Sequence, residues 1–163
     1  AASDVYKRQV CEVEKGVWVV PHFTGGLDEM GRRAHMYRKI GEEFIADDFA
    51  HEQSVVFETG KGLVIFNSCS HGGIVNIVRE VQMALGGQKV YAVVGGFHMM
   101  KLSGMDTLAI PEEEVVETAQ ELKGLGVEEI YTGHCTGNIA FGILKKELGE
   151  MVHALGTGET VVF

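Results

Sequence analysis

At 163 residues, 45% hydrophobic and 23% charged, the chain has the size and composition of one soluble globular domain and is short for two. A net charge of −9 argues against a nucleic-acid partner or an anionic membrane surface, and no apolar run approaches the roughly 20 residues of a membrane helix. Three cysteines, Cys11, Cys69 and Cys135, make no disulfide framework and imply a reducing cytoplasm.

Residues 1–9 show no apolar periodicity and read as a non-native leader, with no signal-peptide pattern; the domain is taken as 10–163. Val17, Trp18, Val19 and Val20 predict a first strand. Residues 21–40 carry glycines, a basic cluster and two histidines, and read as a long loop with at most a helical turn. An acidic turn, Asp47 to Gln53, precedes a strand over 54–58. Thr59, Gly60, Lys61 and Gly62 then form a tight hairpin connection.

The organising stretch is Gly62-Leu-Val-Ile-Phe-Asn-Ser-Cys-Ser-His-Gly-Gly-Ile-Val-Asn-Ile-Val78. Its apolar run over 63–66 is a buried strand. A polar corner follows, and Ile74, Ile77, Val78, Val81 and Leu85 recur at the helical period. Gly86 and Gly87 end that helix. A strand over 89–94 leads into Gly95, Gly96, Phe97 and His98. Pro111 opens a helix whose first turn, Glu112 to Glu114, suits the positive end of the helix dipole. A short strand over 129–131 runs into Thr132-Gly-His-Cys-Thr-Gly137, and Thr136 is positioned to cap the helix after it. Residues 160–163 are expected to close the chain as an edge strand. The order strand-helix-strand-helix-strand-helix predicts an α/β fold, and the hairpin at its front makes the sheet mixed, with covering helices.

Three strand ends each carry a histidine beside glycine: His71, His98 and His134. Ligands of α/β sheets gather at carboxyl ends of strands, and imidazole suits zinc, iron, nickel or manganese. A lone histidine is more often a surface residue or a satisfied core donor; three in one context point to a shared metal site. Cys69 and Cys135 lie within two residues of these histidines and read as thiolate ligands or, more ordinarily, as small core residues. Asn67 and Ser70 are placed to orient a ligand. Gly72, Gly73 and Gly137, at helix starts, are candidate anion-binding positions, although no nucleotide fingerprint surrounds them. His22, His35, His51 and His153 lack the strand-glycine context and read as surface. No nucleophile motif surrounds any serine or cysteine, so metal-assisted chemistry is expected.

The strings from Leu63 to Asn76, from Val94 to His98 and from Thr132 to Gly137 resemble the metallo-β-lactamase fold. They are most similar to the branch that contains the dihydropterin–ribofuranosylaminobenzene-phosphate synthases. The likeness runs through nearly all of 10–163. The superfamily's His-x-His-x-Asp-His string does not occur here, so the resemblance implies the C-terminal half of an αββα sandwich. It implies His71 and His134 as metal ligands and His98 as a ligand or a catalytic, substrate-facing group. Cys69 or Ser70 lies near the place of the bridging carboxylate. The implied cofactor is a divalent metal, zinc first, with manganese, iron or magnesium as alternatives, and up to two ions per complete domain. The implied activity is hydrolysis of a small substrate, phosphorylated or lactone-like, by metal-activated water, with synthase-like transfer as the alternative. A non-catalytic metal- or anion-binding module, or an inactive fragment that self-associates through an exposed sheet, is the competing reading.

Overall fold

A computed structural model describes residues 9–101 and 107–163. The leader reading at 1–9 therefore falls, except for Gln9, outside the described residues, as does part of the Met-rich stretch after His98.

Seven strands form one mixed sheet in the order β1 (Cys11–Glu14), β2 (Val17–Pro21), β5 (Gln53–Thr59), β6 (Gly62–Phe66), β7 (Val90–Gly95), β8 (Glu129–Thr132) and β9 (Val152–Ala154). The first four strands pair antiparallel, and β6 to β9 run parallel. Parallel neighbours require crossovers, supplied by α2 (Ile74–Ala84), α3 (Glu112–Gly124) and α4 (Asn138–Leu148). Successive crossovers of one hand place their helices on one face of the sheet. There Leu63, Ile65, Val93 and Ile130 meet Ile77, Val81, Val115, Leu122 and Leu144 in a single core whose members are at most 8% exposed. Burying each such side chain stabilises the fold by about 1.5–3 kcal/mol.

On the other face, among the described residues, no helix packs: Val64, Ala92 and Val94 are covered by Tyr91, Tyr131, Leu155 and Phe163, while Phe57 and Phe66 remain 39% and 37% exposed. The expected mixed α/β sheet with covering helices is observed, and three expectations along the chain are corrected.

The span 21–40 is not a loop. It holds α1 (Leu27–Arg33) and β3 (Tyr37–Ile40), which pairs with β4 (Glu43–Ala46) as a separate two-stranded ribbon. Its hydrophobic signal is weak because Tyr37, Ile40 and Phe44 are exposed, so no clear periodicity reaches the sequence. Residues 160–163 form no strand; the last strand is Val152–Ala154. Phe163 is held instead by edge-on contacts with Phe66, Tyr91 and Tyr131. Finally, α4 is preceded by Gly137 with no side-chain cap. Thr136 is turned inward, where its hydroxyl accepts from Phe97 N–H and pairs with Thr132 Oγ1.

Candidate functional site

The site follows from strand register. Phe66 lies opposite Val94, and Gly95 opposite Thr132, so three parallel strands stop at one level. The corners that follow them are then one strand spacing apart, about 4.8 Å. Backbone bonds knit them together: Gly96 N–H donates to Ser68 O at 2.7 Å, and Met99 and Met100 N–H both donate to Cys135 O at 3.0 Å. The glycine pair after β7 is what permits this approach. A Cβ at Gly95 would stand 2.0 Å from Asn67 O, and one at Gly96 would stand 2.6 Å from Cys135 Sγ. Ser70, His98 and His134, one from each corner, adopt positive φ of 54°, 50° and 52°. Left-handed backbone at three non-glycine residues is strain held by the surrounding structure, a frequent property of functional corners.

His71 is the most constrained of the three histidines. Its Nδ1 lies 3.2 Å from Glu52 Oε1, and its backbone N–H donates to the same oxygen at 2.9 Å. The second carboxylate oxygen accepts from Gly72 N–H at 3.0 Å. Phe49 stacks flat on the imidazole, centroids 4.4 Å apart and planes 4° from parallel. With Nδ1 engaged by a carboxylate and the ring face covered, Nε2 is the nitrogen left for a ligand. Burial raises the Glu52 carboxyl, but the bonds from the His71 ring and from the Gly72 and His71 N–H groups outweigh it and hold it below its usual range.

His98 packs against His71 with centroids 4.6 Å apart. Burial, then the neighbouring His71 and His134, hold its imidazole below the ordinary range against the pull of Glu52. It is therefore neutral at neutral pH. A cavity of about 330 Å³ opens beside it, with Ser70, Asn76, Arg33 and Arg79 among its walls. Arg79 is paired there with Glu121.

His134 is exposed, and Cys69 is half-buried beside the buried Cys135. The ligand atoms of these three all lie within 4.8 Å of one another, the one such metal-capable group among the described residues. Burial above all pushes the Cys135 thiol up to about 12. His98 N–H donates to the Cys135 sulfur at 3.3 Å.

Asn67 bridges Ser54 Oγ at 3.2 Å and Ser70 Oγ at 3.0 Å, behind the corner rather than in it. Of the glycines read as anion sites, Gly72 gives its N–H to Glu52, while Gly73 and Gly137 give theirs to Ser70 O and His134 O. The helix start at 72–73 thus already holds a carboxylate of the chain's own.

Sequence reasoning missed Glu52 and Phe49, and it misplaced His22. That histidine is 5% exposed, not on the surface. Its Nδ1 meets Glu80 Oε2 and its Nε2 meets Ser54 Oγ, both at 2.8 Å. The chance to see it lay in His22 following an apolar strand directly.

No family model matches the chain. The chain is 36% identical over 128 residues to the 7,8-dihydropterin-6-methyl-4-(beta-D-ribofuranosyl)-aminobenzene-5'-phosphate synthase of Methanocaldococcus jannaschii, a match that takes in 78% of this chain and 41% of that protein. It also superposes, with TM-score 0.76 and 27% identity, on a crystal structure described as a metal-dependent hydrolase of the β-lactamase superfamily. That superposition covers 95% of this chain and 56% of the other. The chain thus spans less than half of the length of the curated relative and little more than half of the structural one.

Proposed function

Because the chain belongs to the metallo-β-lactamase superfamily, we propose that it supplies the sheet-end part of a metal-dependent hydrolase site, as the C-terminal half of an αββα sandwich. His71 and His134 would hold a divalent metal, zinc first. The observation that carries this is His71 itself, braced by Glu52 at Nδ1 and by Phe49 on its face. A neutral imidazole fixed by a carboxylate is the arrangement in which histidine binds a divalent cation well. The imidazoles suit zinc, iron or manganese.

When bound, such a cation lowers the pKa of its water and polarises a carbonyl or phosphoryl oxygen. His98, neutral and on the wall of the cavity, is poised to take or return a proton from a substrate there. On the same wall Arg79 is paired with Glu121 and Arg33 stands with Glu114, so the preference for a phosphorylated small molecule rests on the likeness to the archaeal phosphate synthase. A second reading, group transfer of the synthase kind, is favoured by the 36% identity to the archaeal synthase.

Metal content and affinity of the purified chain test the proposal, beside His71→Ala and His134→Ala. Bound metal that falls in both variants supports it, and metal indifferent to both substitutions overturns it. Turnover of a chromogenic phosphate ester, compared with condensation of a pterin pyrophosphate, separates the two reactions. We propose a cytoplasmic location; among the described residues no helix is long and apolar enough to cross a membrane. We further propose that chains associate through the helix-free face around Phe57 and Phe66. Sedimentation of Phe57→Ser/Phe66→Ser would then report a shift toward monomer.

A further inference from the structure

We propose that Cys69 and Cys135 form a sulfur-rich metal position that shares His134 with the His71 reading, selective for zinc or cobalt over magnesium and manganese. This deepens the reading of the strand-end corner as a metal centre and rests on it. Neither cysteine was required by that reading, which needs only the imidazoles.

The argument begins with distance. Ligand atoms of the three residues lie within 4.8 Å of one another, although they come from two corners 65 residues apart. In a tetrahedral zinc site, bonds of about 2.3 Å to sulfur and about 2.0 Å to nitrogen put neighbouring donors roughly 3.5–4 Å apart. The separation to be closed is thus about 1 Å, within the reach of a rotamer adjustment at Cys69, which is half-buried.

The second observation is how the sulfur of Cys135 is set. It occupies the space that the missing Cβ of Gly96 leaves, is touched by His98 N–H at 3.3 Å, and faces the backbone of Cys69, with Sγ 3.8 Å from the Cys69 oxygen. Its carbonyl is fixed by two N–H groups, from Met99 and Met100. The backbone on either side of the thiol is thus fixed, and His134, at a strained φ of 52°, keeps a ring nitrogen within 4.8 Å of it. Strain kept at a residue whose ring is exposed is explained by a ligand that the ring must meet.

The donor chemistry decides which ligand. Two sulfurs and one imidazole nitrogen form a soft set with no carboxylate in it, and hard cations such as magnesium and manganese prefer oxygen. Three protein ligands around an exposed histidine leave a fourth position open to water or substrate, the property that separates catalytic from structural zinc sites.

The test is cobalt(II) titration of the reduced full chain, followed by absorbance. We expect an intense near-ultraviolet sulfur-to-cobalt band. Cys69→Ser and Cys135→Ser each weaken cobalt affinity about tenfold to a hundredfold and remove sulfur character from the band. His71→Ala lowers the amount of cobalt bound but leaves the sulfur band in place, and magnesium does not displace the cobalt. If Cys135→Ser fails to fold by circular dichroism, the half-buried Cys69→Ser carries the test. Cobalt bound with only weak visible bands overturns this proposal and leaves the His71–His134 reading standing. A chain that binds no cobalt at all overturns both.

Discussion

Of the histidine–glutamate pairs among the described residues, those of His22 and His71 differ in what they leave unsatisfied. His22 has both ring nitrogens engaged, by Glu80 and Ser54, and Glu80 accepts further from Phe23 N–H and Thr24 Oγ1. His71 has only Nδ1 engaged, by Glu52, with Phe49 across its face. The first pair is complete and ties β2 to β5 and α2. The second is complete on one side only and stands next to His98 and the cavity. A buried imidazole with both nitrogens filled is architecture, whereas one nitrogen left toward a polar corner is available for chemistry.

That contrast predicts opposite failures. His22→Ala should cost stability: it removes two hydrogen bonds from Glu80 and Ser54 and opens a small void, for about 2–3 kcal/mol. Metal affinity should stay within about twofold, because no ligand is touched. Thermal melting beside a metal titration checks both halves, and a His22 variant that loses metal but not stability would erase the distinction.

Glu52→Gln attacks the other pair and should reverse the pattern. The amide cannot accept through both ends, so one of its bonds to His71 or Gly72 is lost, and metal affinity should fall about 10–100-fold. Its stability effect depends on pH. The folded carboxyl is held below its usual range, so the wild type's added stability is present above about pH 4.3 and fades as pH falls through the folded value. The variant should show a flatter acid limb in melting temperature against pH. Equal limbs would mean that the carboxylate brings no charge-dependent stability.

Why one histidine could be read from the chain and the other not is a matter of local pattern. His71, His98 and His134 each follow an apolar strand and sit beside glycine, and the strand-helix alternation places those strands in parallel. Glycines, moreover, mark the close approaches the corners need, such as the 2.0 Å clash that a Cβ at Gly95 would make. The ribbon at 37–46 left no clear signal, since exposed Tyr37, Ile40 and Phe44 and half-buried Ile45 make no regular inside–outside alternation. Glu52 and Phe49 were hidden because each acts across sequence: Glu52 binds His71 and Gly72 from 19 and 20 residues away. His22, 58 residues before Glu80, is likewise a long-range partnership that no periodicity encodes. The expected cap at Thr136 failed for a related reason, the threonine being taken by Phe97 and Thr132.

The smallest expected effect separates the two supports of His71. Phe49 covers the imidazole at 4.4 Å and is itself buried, with φ at 49°. In Phe49→Leu most of the apolar volume remains, so the loss is confined to the stacking, about 0.5–1.5 kcal/mol. The carboxylate still engages Nδ1 and the backbone N–H groups, so the preferred tautomer is kept and only the tilt of the ring loosens. Metal affinity should therefore fall by less than in Glu52→Gln, by roughly threefold to tenfold. Isothermal titration with zinc on the wild type, the two single variants and the double checks this. If carboxylate and phenyl brace the same ring, the double variant should lose less than the sum of the singles, because a ring freed by one loss has little further to lose. Strict additivity would instead assign the phenyl to packing alone, and the brace on His71 to Glu52.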